Sequence, residues 1–84
     1  MEEATATNSG MGFGDALDLL QQGRRVARTG WNGKGMWIEI EWPGGFSKMS
    51  LPFIYMRTVC GNLVPWLASQ TDILSNDWIL AEAE

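Results

Sequence analysis

The spacing of apolar residues defines the first element of the chain. Phe13, Ala16, Leu17 and Leu20 fall at i, i+3, i+4 and i+7, which places them on one face of a helix. Asp15 and Asp18 lie near its start, where carboxylates complement the helix dipole. Gly23, after Gln21 and Gln22, is a C-terminal stop signal. The pattern predicts a helix over residues 12–22. A short strand centred on Val26 follows at 24–29, and then a loop at 30–35 that holds Gly30, Gly33 and Gly35. Residues 36–42 alternate. Met36, Ile38, Ile40 and Trp42 share one face, and Trp37, Glu39 and Glu41 share the other, as in a half-buried strand. Pro43-Gly44-Gly45 ends it.

The second half is less regular. Residues 46–52 read as a loop over the sheet and 53–60 as a strand. Gly61-Asn62 turns the chain into a return strand at 63–66, so a hairpin is expected. Ser69 or Thr71 is a suitable N-cap for a short helix running to about Leu74. Residues 77–80 make a last strand. This order predicts an α+β domain, with an N-terminal helix packed on a small, mainly antiparallel sheet and a short second helix. Residues 1–11 read as a loose arm and 12–84 as a single domain.

Composition changes the picture in one respect. A chain of 84 residues buries only about 60% of the surface that its unfolded form exposes. Small domains gain stability from disulfides, metals or self-association. There is one cysteine, Cys60, and no histidine, so an intrachain disulfide and a Cys/His zinc site are both excluded. A homo-oligomer is therefore expected. No apolar run approaches the roughly 18 residues of a membrane span, and residues 1–10 lack the apolar core of a signal peptide. The expected protein is soluble and intracellular.

The net charge of −4 overstates the acidity of the folded body. Glu2, Glu3, Glu82 and Glu84 lie in the tails. Between them Arg24, Arg25, Arg28, Lys34, Lys48 and Arg57 match Asp15, Asp18, Glu39, Glu41, Asp72 and Asp77. A neutral body argues against long nucleic acid, which needs a basic face. A small anion needs only two or three placed cations.

Resources for catalysis are few. Without histidine, the serines and threonines lack their usual base, although a lysine base stays open. Cys60 falls inside the strand expected at 53–60 and reads as a small buried thiol. Asp72 and Asp77 are close enough to form a carboxylate pair, but capping and turn roles are commoner. The glycine spacing at 30–35 matches neither the Walker loop nor the dinucleotide fingerprint. It is compatible with a hairpin turn or with backbone N–H groups approaching an anion. The five tryptophans are the strongest compositional feature. Trp42 and Trp78, in strand positions, read as core or subunit interface. Trp31 in the glycine loop and Trp66 after a proline stand beside polar side chains. They suit either that core or a pocket in which a base stacks.

Two blocks carry a family resemblance. The first is Phe13-Gly14-Asp15-Ala16-Leu17, Gly23-Arg24-Arg25-Val26-Ala27-Arg28 and Gly30-Trp31-Asn32-Gly33-Lys34-Gly35-Met36. The second is Val64-Pro65-Trp66-Leu67-Ala68-Ser69-Gln70-Thr71-Asp72-Ile73-Leu74, followed by Asp77-Trp78. Together they cover about half the chain, and in that order they resemble the second of the phage Thoeris anti-defence protein families. The resemblance implies a homotetrameric sponge in the cytoplasm of the infected bacterial host. Such a sponge binds cyclic ADP-ribose isomers made by TIR-domain proteins and leaves them uncleaved, with no cofactor. For some members it implies cyclic dinucleotides at a separate site.

The site expected on this basis is specific. Trp31 stacks on the adenine or closes the pocket, and Trp66 is the second wall. Arg28 and Lys34 face the pyrophosphate. Asn32, Ser69, Gln70, Thr71 and Asp72 bond ribose hydroxyls and base edges. The pocket is expected to be shared between subunits. The rival readings are a structural or protein-interaction module of a phage, and a hydrolase of the same messenger.

Overall fold

A computed structural model describes residues 10–31 and 34–81. The element order is α1 (Phe13–Gln21), β1 (Val26–Arg28), β2 (Trp37–Glu41), β3 (Phe53–Arg57), β4 (Leu63–Pro65), α2 (Gln70–Leu74) and β5 (Trp78–Leu80). The five strands form one antiparallel sheet in the order β4-β3-β2-β1-β5. The α+β class, the N-terminal helix and the short second helix are as the sequence pattern predicts.

Helix α1 ends where the glycine signal places its stop. Gly23 adopts a left-handed conformation (φ 87°). Its N–H donates to the Leu20 carbonyl at 2.9 Å, and the Arg24 N–H donates to Leu19 at 3.1 Å. This pair of bonds satisfies carbonyls that the helix end would otherwise leave open. The apolar face of α1 then covers the sheet. Ala16 and Leu20 are fully buried with Val26, Ile38 and Trp78, and Phe13 and Leu17 pack against them.

Strand register sorts the two faces of the sheet. Val26 pairs with Ile38, Ile38 with Met56, and Ile40 with Ile54, so these residues face the helix. Trp37 pairs with Arg57, Glu39 with Tyr55, and Glu41 with Phe53 on the opposite face. Alternation along each strand requires this division.

Several expectations need correction. The strand expected at 53–60 stops at Arg57, because Thr58 already closes the turn. Its N–H donates to the Asn62 carbonyl at 2.8 Å, and its own carbonyl accepts from Gly61 at 2.9 Å. Cys60 therefore sits in the turn and is exposed, not buried in a strand. Trp78 is core, as expected, but Trp42 lies past the end of β2 and is 52% exposed in the single chain. Met11, at the end of the expected arm, exchanges two backbone hydrogen bonds with Trp78 at 2.8 and 3.1 Å. Residues 1–9 of that arm lie outside the described residues.

Candidate functional site

The candidate site is built where the C-terminal end of β1 meets the loop after it, the start of α2 and the start of β5. Trp78 supplies the floor. It pairs with Arg28 across the β1–β5 ladder, and its indole N–H donates to the Asp72 carbonyl at 2.9 Å. A fully buried indole needs such an acceptor. Around it stand Trp31 at 5.4 Å, Phe13 at 5.3 Å and Trp66 at 6.2 Å between ring centroids. Trp31 and Trp66 meet edge to face at 6.4 Å. The two expected walls therefore belong to one aromatic cluster, continuous with the core, and both rings remain half-buried.

Beside this cluster Arg28 is clasped by two carboxylates. Its Nε donates to Asp77 Oδ1 at 2.8 Å, and its Nη1 donates to Asp72 Oδ1 at 2.9 Å. Asp72 also accepts from the Trp31 indole N–H at 3.3 Å and from the Ser69 backbone N–H at 3.1 Å. Ser69 Oγ accepts from the Asp72 N–H at 3.0 Å, which completes a capping box on α2. Asp77 Oδ2 accepts from the Gly30 N–H at 2.8 Å and from the Thr29 hydroxyl at 3.3 Å. One guanidinium and two carboxylates thus tie the loop that carries Trp31 to both α2 and β5.

The clasp sets the charge states of its members. The bonds from Asp77 and then Asp72 hold the Arg28 guanidinium above its ordinary range, against the effect of burial. Burial alone would push the Asp72 carboxyl up. The Ser69 N–H, Arg28 and Trp31 outweigh it and hold Asp72 below the usual carboxylate range. Asp77 is held low chiefly by Arg28, with help from the Gly30 N–H and against its own partial burial.

The expected site residues are thereby divided. Trp31, Trp66, Arg28, Ser69 and Asp72 come together. Arg28 was expected to face a pyrophosphate and Asp72 to bond ribose hydroxyls. Within one chain both instead spend most of their hydrogen-bonding capacity on each other and on their neighbours. Lys34, Gln70 and Thr71 are exposed, and Lys34 makes no hydrogen bond or ion pair among the described residues. Asn32 lies outside the described residues. Trp66 also lines a mainly apolar groove of about 490 Å³ with Leu51, Pro52, Ile54 and Pro65. Among the described residues, no group of three or more acidic or cysteine side chains is placed to hold a metal ion. No helix among them is long and apolar enough to cross a membrane.

Asp77 and Phe13 are parts of this arrangement that sequence reasoning did not assign to it. Only the five-residue spacing of Asp77 from Asp72 hinted at a shared role, and nothing local marks Arg28 as their common partner.

Comparison with known proteins places the architecture. Residues 11–81 match the Thoeris anti-defense 2-like domain. The chain is also 36% identical to Thoeris anti-defense 2 of Bacillus phage SP01, over 81% of this chain and 91% of that protein. A match spanning α1 through β5 takes in every element that builds the clasp. The chain therefore belongs to the Thoeris anti-defense 2-like family.

Proposed function

We propose that this protein is a phage anti-defence sponge that binds cyclic ADP-ribose-type messengers in the cytoplasm of the bacterial host and holds them uncleaved. Family membership supports an anti-Thoeris role. The observation that carries the binding reading is the cluster of Trp31 and Trp66, in which the Arg28–Asp72–Asp77 clasp ties down the Trp31 loop through the Gly30 N–H and the Trp31 indole N–H. Preorganised aromatic faces bind a compact ligand without a large ordering cost. Stacking a base contributes on the order of 1–3 kcal/mol, and a charge-assisted bond to phosphate about 1.5–3 kcal/mol. One or two stacked rings and three or four such bonds reach the roughly −12 kcal/mol of a nanomolar trap.

In this reading Trp31 and Trp66 are the stacking walls. Lys34 meets the pyrophosphate, and Asn32, Gln70 and Thr71 reach ribose hydroxyls and base edges. Arg28, Ser69 and Asp72 act mainly by positioning Trp31 and α2. The chain has no histidine, which suits a protein that holds a phosphoanhydride ring without opening it. Cyclic dinucleotides at a separate site are a further proposed ligand class.

A homotetramer with pockets shared between subunits completes the proposal. Its support is the apolar surface that a single chain leaves open, including Phe46 (105% exposed), Leu67 (92%) and Leu51 (74%). Surface of this kind in so small a domain marks an association site.

Ligand release tests the function. The protein is incubated with a cyclic ADP-ribose isomer, freed of unbound ligand and heat-denatured. Recovery of the intact isomer supports the sponge. Recovery of an opened product would make the protein a hydrolase, and recovery of nothing would leave a structural module. Light scattering on the same sample tests the tetramer.

A further inference from the structure

The three arginines of the sheet region with described partners differ in how their charge is met. Arg25 pairs with Glu39 at 3.1 Å, and Arg28 pairs with Asp72 and Asp77. Arg57 meets no carboxylate among the described residues. Its Nη1 donates to the Gly35 carbonyl at 2.9 Å and, at 3.5 Å, to that of Thr58. Nε and Nη2 have no acceptor among the described residues.

Two glycines keep this guanidinium open. Both are left-handed, with φ of 79° at Gly35 and 90° at Gly61. A Cβ on Gly35 would stand 2.8 Å from Nη1, and one on Gly61 would stand 3.5 Å from Nη2. A side chain at position 35 would displace the arginine, and one at 61 would crowd its free edge. The turn that carries Gly61 is closed by the Asn62 N–H donating to Thr58 Oγ1, the Thr58 N–H donating to the Asn62 carbonyl and the Gly61 N–H donating to the Thr58 carbonyl, so the frame is not loose. Trp37 stands opposite Arg57 in the β2–β3 register and offers an aromatic neighbour on the same face.

We propose that Arg57, framed by Gly35 and Gly61, is a binding subsite for the phosphate oxyanions of a small diphosphate. A planar guanidinium with a fixed orientation and free paired donors matches two oxygens of one phosphate. Arg57 follows Met56, which faces the helix, so its side chain leaves from the opposite face. The subsite is thus separate from the Trp31 cluster, and it stands or falls independently of the sponge reading.

Arginine Nε–H resonances of the full-length protein, followed by NMR during titration with inorganic pyrophosphate at constant ionic strength, test this directly. The Arg57 signal should shift saturably while that of the clasped Arg28 stays still. Arg57→Gln should weaken pyrophosphate binding roughly tenfold or more, the scale of a lost charge-assisted hydrogen bond. Arg57→Lys should retain part of it, and Gly35→Ala, whose Cβ would meet Nη1, should weaken binding by displacing the Arg57 guanidinium. A parallel ADP titration separates the source of the phosphate, since tighter saturation than with pyrophosphate assigns the subsite to a nucleotide diphosphate. An Arg57 signal that moves no more than that of Arg28, or moves equally in chloride alone, would overturn the proposal. Because the resonance is read in the wild-type protein, the answer does not depend on the variants folding.

Discussion

The two faces of the sheet use the same materials to different ends. On the helix-covered face, Arg28 is gripped by two carboxylates and the tryptophans around it share a buried core. On the open face, Arg25 pairs with one carboxylate, Glu39, and lies over the Trp37 ring at 4.0 Å. Tyr55 donates to the same Glu39 at 2.8 Å and meets Trp37 edge to face. The first arrangement links four chain segments, so removing one member disturbs all of them. The second links neighbouring strands that backbone pairing already joins. Connectivity, more than the count of charges, decides what each network contributes.

The difference can be broken most forcefully at Arg28. Arg28→Ala strips two carboxylates of their shared cation. The Arg28 and Asp72 side chains are only 15% and 12% exposed, while Asp77 is 30% exposed. A buried charge left alone costs about 3–5 kcal/mol, and the partial exposure of Asp77 reduces this to roughly 2–3 kcal/mol. Denaturant unfolding should show that loss, together with weaker ligand binding as the Trp31 loop loosens. Unchanged stability would mean that the clasp is ornamental.

Trp31→Ala should act on binding instead. Loss of one stacked ring corresponds to about 1–3 kcal/mol, or roughly one to two orders of magnitude in Kd for a cyclic ADP-ribose isomer. Calorimetry showing the wild-type Kd would remove Trp31 from the site.

Titration sharpens the comparison, because the two faces fail at opposite ends of the pH scale. Asp72 and Asp77 have folded values below the ordinary 3.8. The stability they contribute is complete above that value and is lost as pH falls through their lowered range. Thermal melts should therefore decline below about pH 4, less steeply in Asp77→Asn. Tyr55 shifts the other way. Burial, and then its bond to Glu39, push it from 10.0 to about 12. Its contribution is complete below 10 and disappears as pH rises through about 12. Because the chain has a single tyrosine, absorbance titration reads it directly. A midpoint near 10 would break the open-face network.

The smallest effect is expected at Arg25. Arg25→Ala removes a half-exposed ion pair and a cation–π contact, together worth about 0.5–1 kcal/mol. A loss equal to that of Arg28→Ala would erase the distinction between the faces.

Local pattern alone determined most of the architecture. The 3.6-residue spacing of Phe13, Ala16, Leu17 and Leu20 specifies a helix, and the alternation from Met36 to Trp42 specifies a strand and its two faces. Gly23, Gly61 and Ser69 mark an end, a turn and a cap by short-range backbone chemistry. The family resemblance predicts Trp31 and Trp66 beside residues 69–72; the structure places Ser69 and Asp72 there and leaves Gln70 and Thr71 exposed. Tertiary structure alone decided which charges are spent and which remain open. Arg28 lies 44 residues from Asp72 and 49 from Asp77; the pairing of β1 with β5 brings Asp77 within bonding distance, and the placement of α2 brings Asp72. Arg57 stays open because two turns present glycines to it. Ion pairs depend on distances of a few ångströms between segments far apart in the chain, and no periodicity in the sequence records those distances.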